Sequence, residues 1–364
     1  MTSIAKFTAF VLLLIVDITH AGESDFSILA ELDNGPGNVT VMSDGRIIMS
    51  LHQFYQPKYT VVEYKHNKLL PFPNREFSDS SSTSPLRLDS VLGIRSDAVG
   101  NVWMLDNGMR SGMTPKLVAW DTRRNQLHQV IYLPPPIAPE DQFVNDFAID
   151  TQRDLVFISD PAGGINAAII VINLKTGTAR RVLEGHRSVI PELIDLIIDE
   201  VPIQVTDQSG KRIRPHIGVN AITEDLNNEW VYFGPMHAHS LYRIKANDLA
   251  DESMDARVLA NKVQRYSDKP ISDGISIDKQ NNIYLGELAV NAIGVISEDR
   301  KYRRLAQSPL LSWVDSFSFG PDGQLVAVVN RLHQSATLNG GNSKSKPPYY
   351  LLQIKALAPG LPGR

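Results

Sequence analysis

One pattern recurs along this chain and limits what it can fold into: a short alternation of apolar residues runs into a polar turn, and a second alternation returns. In Ser272–Glu287, Ile275 and Ile277 lead into Asp278–Asn282, and Ile283 and Leu285 lead back, the pattern of a β-hairpin. The same pattern is present in Val39–Ser50, Gly93–Asp106, Phe147–Asp160, Ala221–Gly234 and Phe317–Asn330. The first apolar residues after the turns, Ile47, Val102, Leu155, Trp230, Ile283 and Leu325, lie 55, 53, 75, 53 and 42 residues apart. Radial repeats of four strands have this kind of period. A second strand pair follows several hairpins, clearest where Ala168–Gly177 leads into Ala179–Leu183. The expected fold is all-β, a six-bladed β-propeller.

A closed ring needs one blade shared between distant parts of the chain, because an open edge strand invites pairing with other molecules. The alternating stretch Phe26–Leu32 suits the outer strand of the last blade, beside Tyr349–Lys355 as its third. The 75-residue spacing leaves an insertion around Val189–Arg214, expected to hold a short helix over Pro191–Asp199 and a hairpin turning at Ser209-Gly210. No stretch reads as a linker, so residues 22–364 are expected to form a single domain. Ahead of it, Lys6, the apolar run Phe7–Val16 and small residues before Gly22 read as a secretory signal peptide over residues 1–21. The mature protein is therefore expected to be secreted or periplasmic, with no membrane attachment after cleavage.

Composition narrows the partners. With no cysteine the fold relies on its core in an oxidising compartment, and 43% apolar residues supply one. A formal charge of −4 without a basic run argues against nucleic acid. The expected partner is a small molecule, and the protein is read as a monomer. There is no Gly-x-Ser-x-Gly elbow and no phosphate-binding Walker loop. His237 and His239 lack the third nitrogen or sulfur ligand that a transition-metal site needs.

In a propeller the first strand of each blade lines the central channel, so its first residues converge with those of the other blades. Those positions hold Asn38, Ser90, Asn145-Asp146, Asn220, Ser272-Asp273 and Val314-Asp315. In an antiparallel hairpin the end of the second strand lies at the same end as the start of the first. This adds Asp106-Asn107, Asp160, Met236-His237, Glu287 and Asn330-Arg331 to that rim. Strand ends often cap themselves with Asx-type hydrogen bonds, which accounts for Ser90 and Asp160. Converging carboxylates repel one another unless a cation sits between them. Ca²⁺ or another divalent cation on Asn145, Asn220 and Asp273 would serve, and so would an amine ligand. The expected ligand-contacting residues are Asn145, Asp106, His237, Glu287, Arg331 and Asp315.

Leu105–Gly108 with Pro115–Asp121, Ile158–Asp160 with Ile169–Asn173, Tyr232–Met236 with Leu241-Tyr242, and Val329–Leu332 together resemble the Yellow/major royal jelly protein family, in order, over nearly the whole mature chain. The absence of cysteine is similar to bacterial-type members. The resemblance implies a secreted six-bladed propeller whose cavity binds small molecules. Insect members are associated with dopachrome-type conversion or with binding biogenic amines. A tautomerase of that kind would use a rim carboxylate, Asp273 or Asp146, to move the proton. More distantly the chain is similar to the gluconolactonase/senescence-marker lactonases. There a divalent metal is held by a first-blade Glu, an Asn and an Asp, and the Asp is also the base. Asn220 and Asp273 match the metal Asn and Asp, and Asn145-Asp146 matches the substrate-side pair. Asn38 or Gly37 stands in place of the Glu. This second resemblance implies, as an alternative, metal-dependent lactone hydrolysis; a non-catalytic interaction scaffold is the third reading.

Overall fold

The computed structural model describes residues 25–207 and 209–364; the expected signal peptide, residues 1–21, lies outside them. Six four-stranded antiparallel sheets stand around a common axis as the blades of a propeller. Blade 1 is built from Pro36–Val41, Ile47–Leu51, Val61–Lys65 and Lys68–Pro71. Blades 2 to 5 begin with the inner strands Val91–Ser96, Phe147–Asp150, Val219–Glu224 and Ile275–Ile277. Blade 6 takes Val314–Phe319, Leu325–Val329 and Tyr349–Ile354 from one end of the chain and Phe26–Leu32 from the other. Phe26 pairs with Ile354 and Leu32 with Tyr349, so the ring closes as expected.

The recurring turns fold because an aspartate organises each one locally. In blade 5 the Asp278 carboxylate accepts from the backbone N–H groups of Gln280 (2.8 Å) and Asn282 (3.0 Å), an Asx-type turn. Asn281 takes the left-handed conformation there, with φ of 60°, which asparagine tolerates better than most residues. Asp97 and Asp225 make the same contacts in blades 2 and 4, and Asp150 in blade 3 accepts from the N–H groups of Gln152 and Arg153.

Apolar side chains pack between neighbouring blades rather than in one central core. Phe147, Ile158 and Ile170 of blade 3 meet Leu105, Leu117 and Ala119 of blade 2. Tyr284, Ile293 and Val295 of blade 5 meet Phe317, Ala327 and Leu352 of blade 6. Burying such side chains stabilises the ring by about 1.5–3 kcal/mol each. Nearer the axis, serine hydroxyls tie one blade to the next: Ser50 Oγ donates to the Leu92 carbonyl (2.7 Å) and Ser159 Oγ to the Asn220 carbonyl (2.7 Å).

The insertion before blade 4 departs from expectation. No helix forms over Pro191–Asp199; Ile197–Ile198 instead pairs with Val201–Pro202. A second small hairpin, Val205–Thr206 with Arg212–Ile213, turns where Ser209-Gly210 predicts. Leu196, Ile198 and Ile203 pack on Met236, Trp313, Leu332 and Leu338 in a separate apolar cluster, and this burial holds the segment down across one face of the ring. Among the described residues, no helix is long and apolar enough to cross a membrane.

Candidate functional site

Under that insertion lies a cavity of about 540 Å³. Its floor is made by the starts of the inner strands: Asn38 from blade 1, Asn145 and Asp146 ahead of blade 3, Asn220 from blade 4, Asp273 ahead of blade 5 and Asp315 from blade 6. Its sides are largely apolar, with Phe54, Phe143, Met236 and Leu332 among them. The insertion supplies Leu193, Val205, Ile213 and Arg214 at the top.

Asp273-Gly274 shows how the backbone delivers a carboxylate to the axis. From sequence alone Gly274 has no evident packing role, and the structure supplies one. Its N–H donates to the Asp315 carbonyl (2.8 Å), and a Cβ at this position would meet that oxygen at 2.6 Å. Only glycine lets blades 5 and 6 approach so closely.

Side-chain hydrogen bonds join the floor residues in three groups. Asn145 Nδ2 donates to Asn220 Oδ1, Asn220 Nδ2 donates to Asp273 Oδ1, and the Trp313 indole donates to Asp273 Oδ2 at 2.8 Å. Asn38 Nδ2 donates to Asp146 Oδ1 (2.8 Å), and Arg95 Nη1 donates to Asn38 Oδ1 (3.0 Å). Arg95 Nη2 lies 3.8 Å from Asp146. Asn330 Nδ2 donates both to Asp315 Oδ2 and to the Pro36 carbonyl (2.9 Å).

Burial and mutual repulsion govern the charges. Burial pushes Asp273 up to about 7 against the hydrogen bond from Trp313, and the neighbouring Asp146 raises it further. Burial and then Asp273 raise Asp315 well above the usual carboxylate range. Asp146 is also raised by burial, opposed by Arg95. His52 on the cavity wall is pulled down to about 3 by burial, so it is neutral at pH 7 and offers the carboxylates no counter-charge. Lys269 lies behind the wall, where its Nζ donates to the carbonyls of Met236, Ala238 and Pro270. Burial pulls Lys269 down to about 7. Among the described residues, the only lysine or arginine on the cavity wall is Arg214, half exposed at the mouth and paired with Asp195.

The structure brings together Asn145, Asp146, Asn220, Asp273 and Asp315, all expected on this rim. It places four other expected residues elsewhere. Asp106 is fully buried against Lys116 Nζ (2.7 Å), with the N–H groups of Asp89, Ser90 and Gly108 also donating to its carboxylate. Glu287 accepts from Arg304 (2.8 Å) and from Tyr302 Oη (2.7 Å). Arg331 reaches the Lys346 carbonyl (3.2 Å) and the Tyr350 ring. His237 is buried behind the wall, its Nδ1 accepting the Ile217 N–H at 3.1 Å. The physical reason is common to them. A second-strand end shares the face with the first-strand start but stands one strand further from the axis, where Asp106, Glu287 and Arg331 find partners close by, while His237 Nε2 is buried without a hydrogen-bond partner. Asp160 follows the same rule, capped by Arg181 and the Phe143 N–H.

Asn330, expected on the rim, and Arg95 and Trp313, not among the expected site residues, complete the floor. Arg95 does carry a signal, as the one charge in the wholly buried strand Val91–Ser96. Trp313 directly precedes an inner strand, which puts it near the rim, but its position does not tell that the indole donates to Asp273.

The expected metal set does not fit this arrangement. Both Asp273 oxygens and one Asp146 oxygen accept from N–H donors. Among the described residues, no group of three or more His, Cys, Asp or Glu is placed to hold a metal ion, so an ion here would depend on amide oxygens. Asn38 offers a neutral amide where the lactonase pattern has a carboxylate. A divalent ion needs several oxygens turned toward it at once, whereas here amide and indole N–H groups lie against them.

Comparison with known proteins places the chain. No curated protein matches it. Similar solved structures include a luciferin-regenerating enzyme (TM-score 0.58, 11% identity, 93% of this chain and 97% of that one). They also include a gluconolactonase from Xanthomonas campestris (0.53, 10%, 90% and 88%). A third is the PQQ-bound aldose sugar dehydrogenase of Streptomyces coelicolor (0.52, 11%, 91% and 98%). At such identities they show the fold alone, and their different chemistries illustrate how little a propeller dictates. The sequence model described as Major royal jelly protein matches residues 89–332, most of the ring and nearly all of the floor, and the chain belongs to that family.

Proposed function

We propose that the cavity binds a small organic cation, with a protonated amine on the floor carboxylates and an aromatic or apolar body against Phe54 and Phe143. One observation carries this reading: Asp146, Asp273 and Asp315 are buried together with less positive charge than negative around them. An ammonium group relieves that repulsion, and its N–H donors suit carboxylate oxygens that retain free lone pairs. Membership of the major royal jelly protein family supports a small-molecule role, and the apolar run Phe7–Val16 supports export. Asp273, poised near neutral pH, is also the group best suited to move a proton in a dopachrome-type tautomerisation. Lactone hydrolysis draws no support from the floor, where Asn38 replaces the needed carboxylate.

Calorimetric titration with an arylalkylamine and with the alcohol of the same skeleton tests the reading. The amine is expected to bind at least tenfold more tightly, and Asp273→Asn to erase most of the difference. Equal binding of amine and alcohol would overturn it. Dopachrome decay faster than with Asp273→Asn or buffer then decides whether binding is accompanied by turnover.

A further inference from the structure

The insertion before blade 4 has a feature that a floor-only ligand leaves unused. Its placement is fixed: Gln204 N–H donates to the Leu338 carbonyl (2.9 Å), the Gly340 N–H donates back to Gln204 (2.9 Å), and Glu192 N–H reaches the His237 carbonyl (2.7 Å). Yet Leu193 is 86% exposed, Ile165 75% and Ile213 40%, and all three line the same cavity as the carboxylates. Single exposed apolar residues need no explanation, but several converging on the mouth of a concave site mark a surface that something covers. The insertion leaves Leu193 and Ile213 in water, beside Ile165 from the loop between the second and third strands of blade 3, while burying Leu196, Ile198 and Ile203 nearby.

Size points the same way. The cavity, about 540 Å³ and open at its mouth, falls in the range of roughly 300–1,000 Å³ that suits ligands larger than a one-ring amine. Apart from Arg214 and His216, the upper part offers mostly carbon. An occupant long enough to touch both ends must therefore be charged at one end and apolar along the rest.

We infer that the ligand is an amphiphilic cation whose apolar body runs from Asp273 to Leu193 and Ile165 at the mouth, an inference that rests on the amine-binding reading of the floor. The chemical class is a long-chain alkyl- or aryl-alkylammonium compound. The floor fixes the ammonium, and the preformed insertion covers the chain.

A series of n-alkylammonium ions from propyl to decyl, paired with the 1-alkanols of equal length, tests it by calorimetry on the whole protein. Affinity is expected to rise about fourfold per added methylene, the equivalent of ~0.8 kcal/mol per buried CH₂, until the chain reaches the mouth. Leu193→Ser combined with Ile165→Ser alters only exposed side chains, so folding is expected to survive, checked by an unchanged melting temperature. That double variant should weaken the longest amines severalfold and leave the shortest unchanged, while Asp273→Asn weakens all of them alike. Affinity independent of chain length, with short amines still sensitive to Asp273→Asn, would overturn this inference and leave the floor reading standing. Equal loss for short and long amines in the double variant would also overturn it. Amines binding no better than alkanols would remove both.

Discussion

The indole N–H of Trp313 donates to Asp273 Oδ2 at 2.8 Å, and Trp313 does this with a backbone φ of 62°. A bulky residue in the left-handed region is uncommon and costs on the order of 1–3 kcal/mol. The ring is fully buried and stacks on His333, so packing holds the conformation that aims the indole at the floor. A hydrogen bond to the charged form of a carboxylate favours ionisation. Trp313→Phe keeps the ring and removes the donor, so Asp273 should rise further. The midpoint of amine binding against pH should then move upward by about one to two units, from the ~1.5–3 kcal/mol attributed to a hydrogen bond with a charged group. A midpoint unmoved in a variant that melts normally would show that the contact is packing only.

The same carboxylate makes stability depend on pH. Asp273 sits at about 7 in the folded protein against ~3.9 in an unfolded chain, so the folded state holds its proton more tightly. The resulting stabilisation is fully present below about pH 4 and is lost as pH rises toward 7. Asp146 and Asp315, raised by burial, and Glu224, raised to about 8, act in the same direction. His52, His237 and His333, lowered to about 3, 4 and 4, act oppositely, losing stability as pH falls below ~6.5. The diagnostic is therefore a difference: the melting temperature of Asp273→Asn minus that of wild type should climb between about pH 4 and 7 and level off above. A difference flat across that window would mean that Asp273 is ionised throughout.

How much of this is legible in the sequence depends on the range of the interaction. The blades are legible because alternation and Asp-led turns are local: Asp278, Asn281 and the strands they join lie within a dozen residues. The floor is legible because propeller geometry carries Asn145, Asn220 and Asp273 to one end of their strands. Side-chain direction at second-strand ends is not, since Glu287 turns to Arg304 and Asp106 to Lys116 through contacts between different strands of a blade. Trp313 is harder still, because its inward turn depends on a backbone conformation that its residue type disfavours.

Lys116 offers a test of that distinction between blade and floor. Its ammonium and the Asp106 carboxylate, 2.7 Å apart, are both wholly shielded from solvent. Removing one partner of a buried pair leaves an uncompensated charge and costs about 3–5 kcal/mol. Lys116→Met should therefore lower unfolding free energy by about that amount in urea denaturation, while the amine affinity of the remaining folded protein is unchanged. A large loss of affinity in that folded fraction would mean that Asp106 belongs to the site after all.

Metal ions separate the remaining readings most cheaply. A ligand that binds only the folded state stabilises it by RT ln(1 + [L]/Kd), about 2.7 kcal/mol at a hundred times Kd, a shift of roughly a few degrees for a chain of this size. Asp273 already accepts from Asn220 and Trp313, and Asp146 from Asn38. An ammonium ion can add its own N–H donors to the lone pairs left over. A bare divalent ion would require these neighbouring N–H groups to turn away so that several oxygens face it together. Millimolar Ca²⁺, Mg²⁺ and Mn²⁺ should therefore leave the wild-type melting temperature unmoved. A long-chain alkylammonium ion should raise it, and Asp273→Asn should abolish the rise. Asp160→Asn, altering a carboxylate held by Arg181 away from the cavity, should leave the amine-induced rise intact even if it lowers the starting melting temperature. If instead Ca²⁺ gives a shift that Asp273→Asn removes, the floor rearranges around an ion, and the lactonase-like reading gains the support it now lacks.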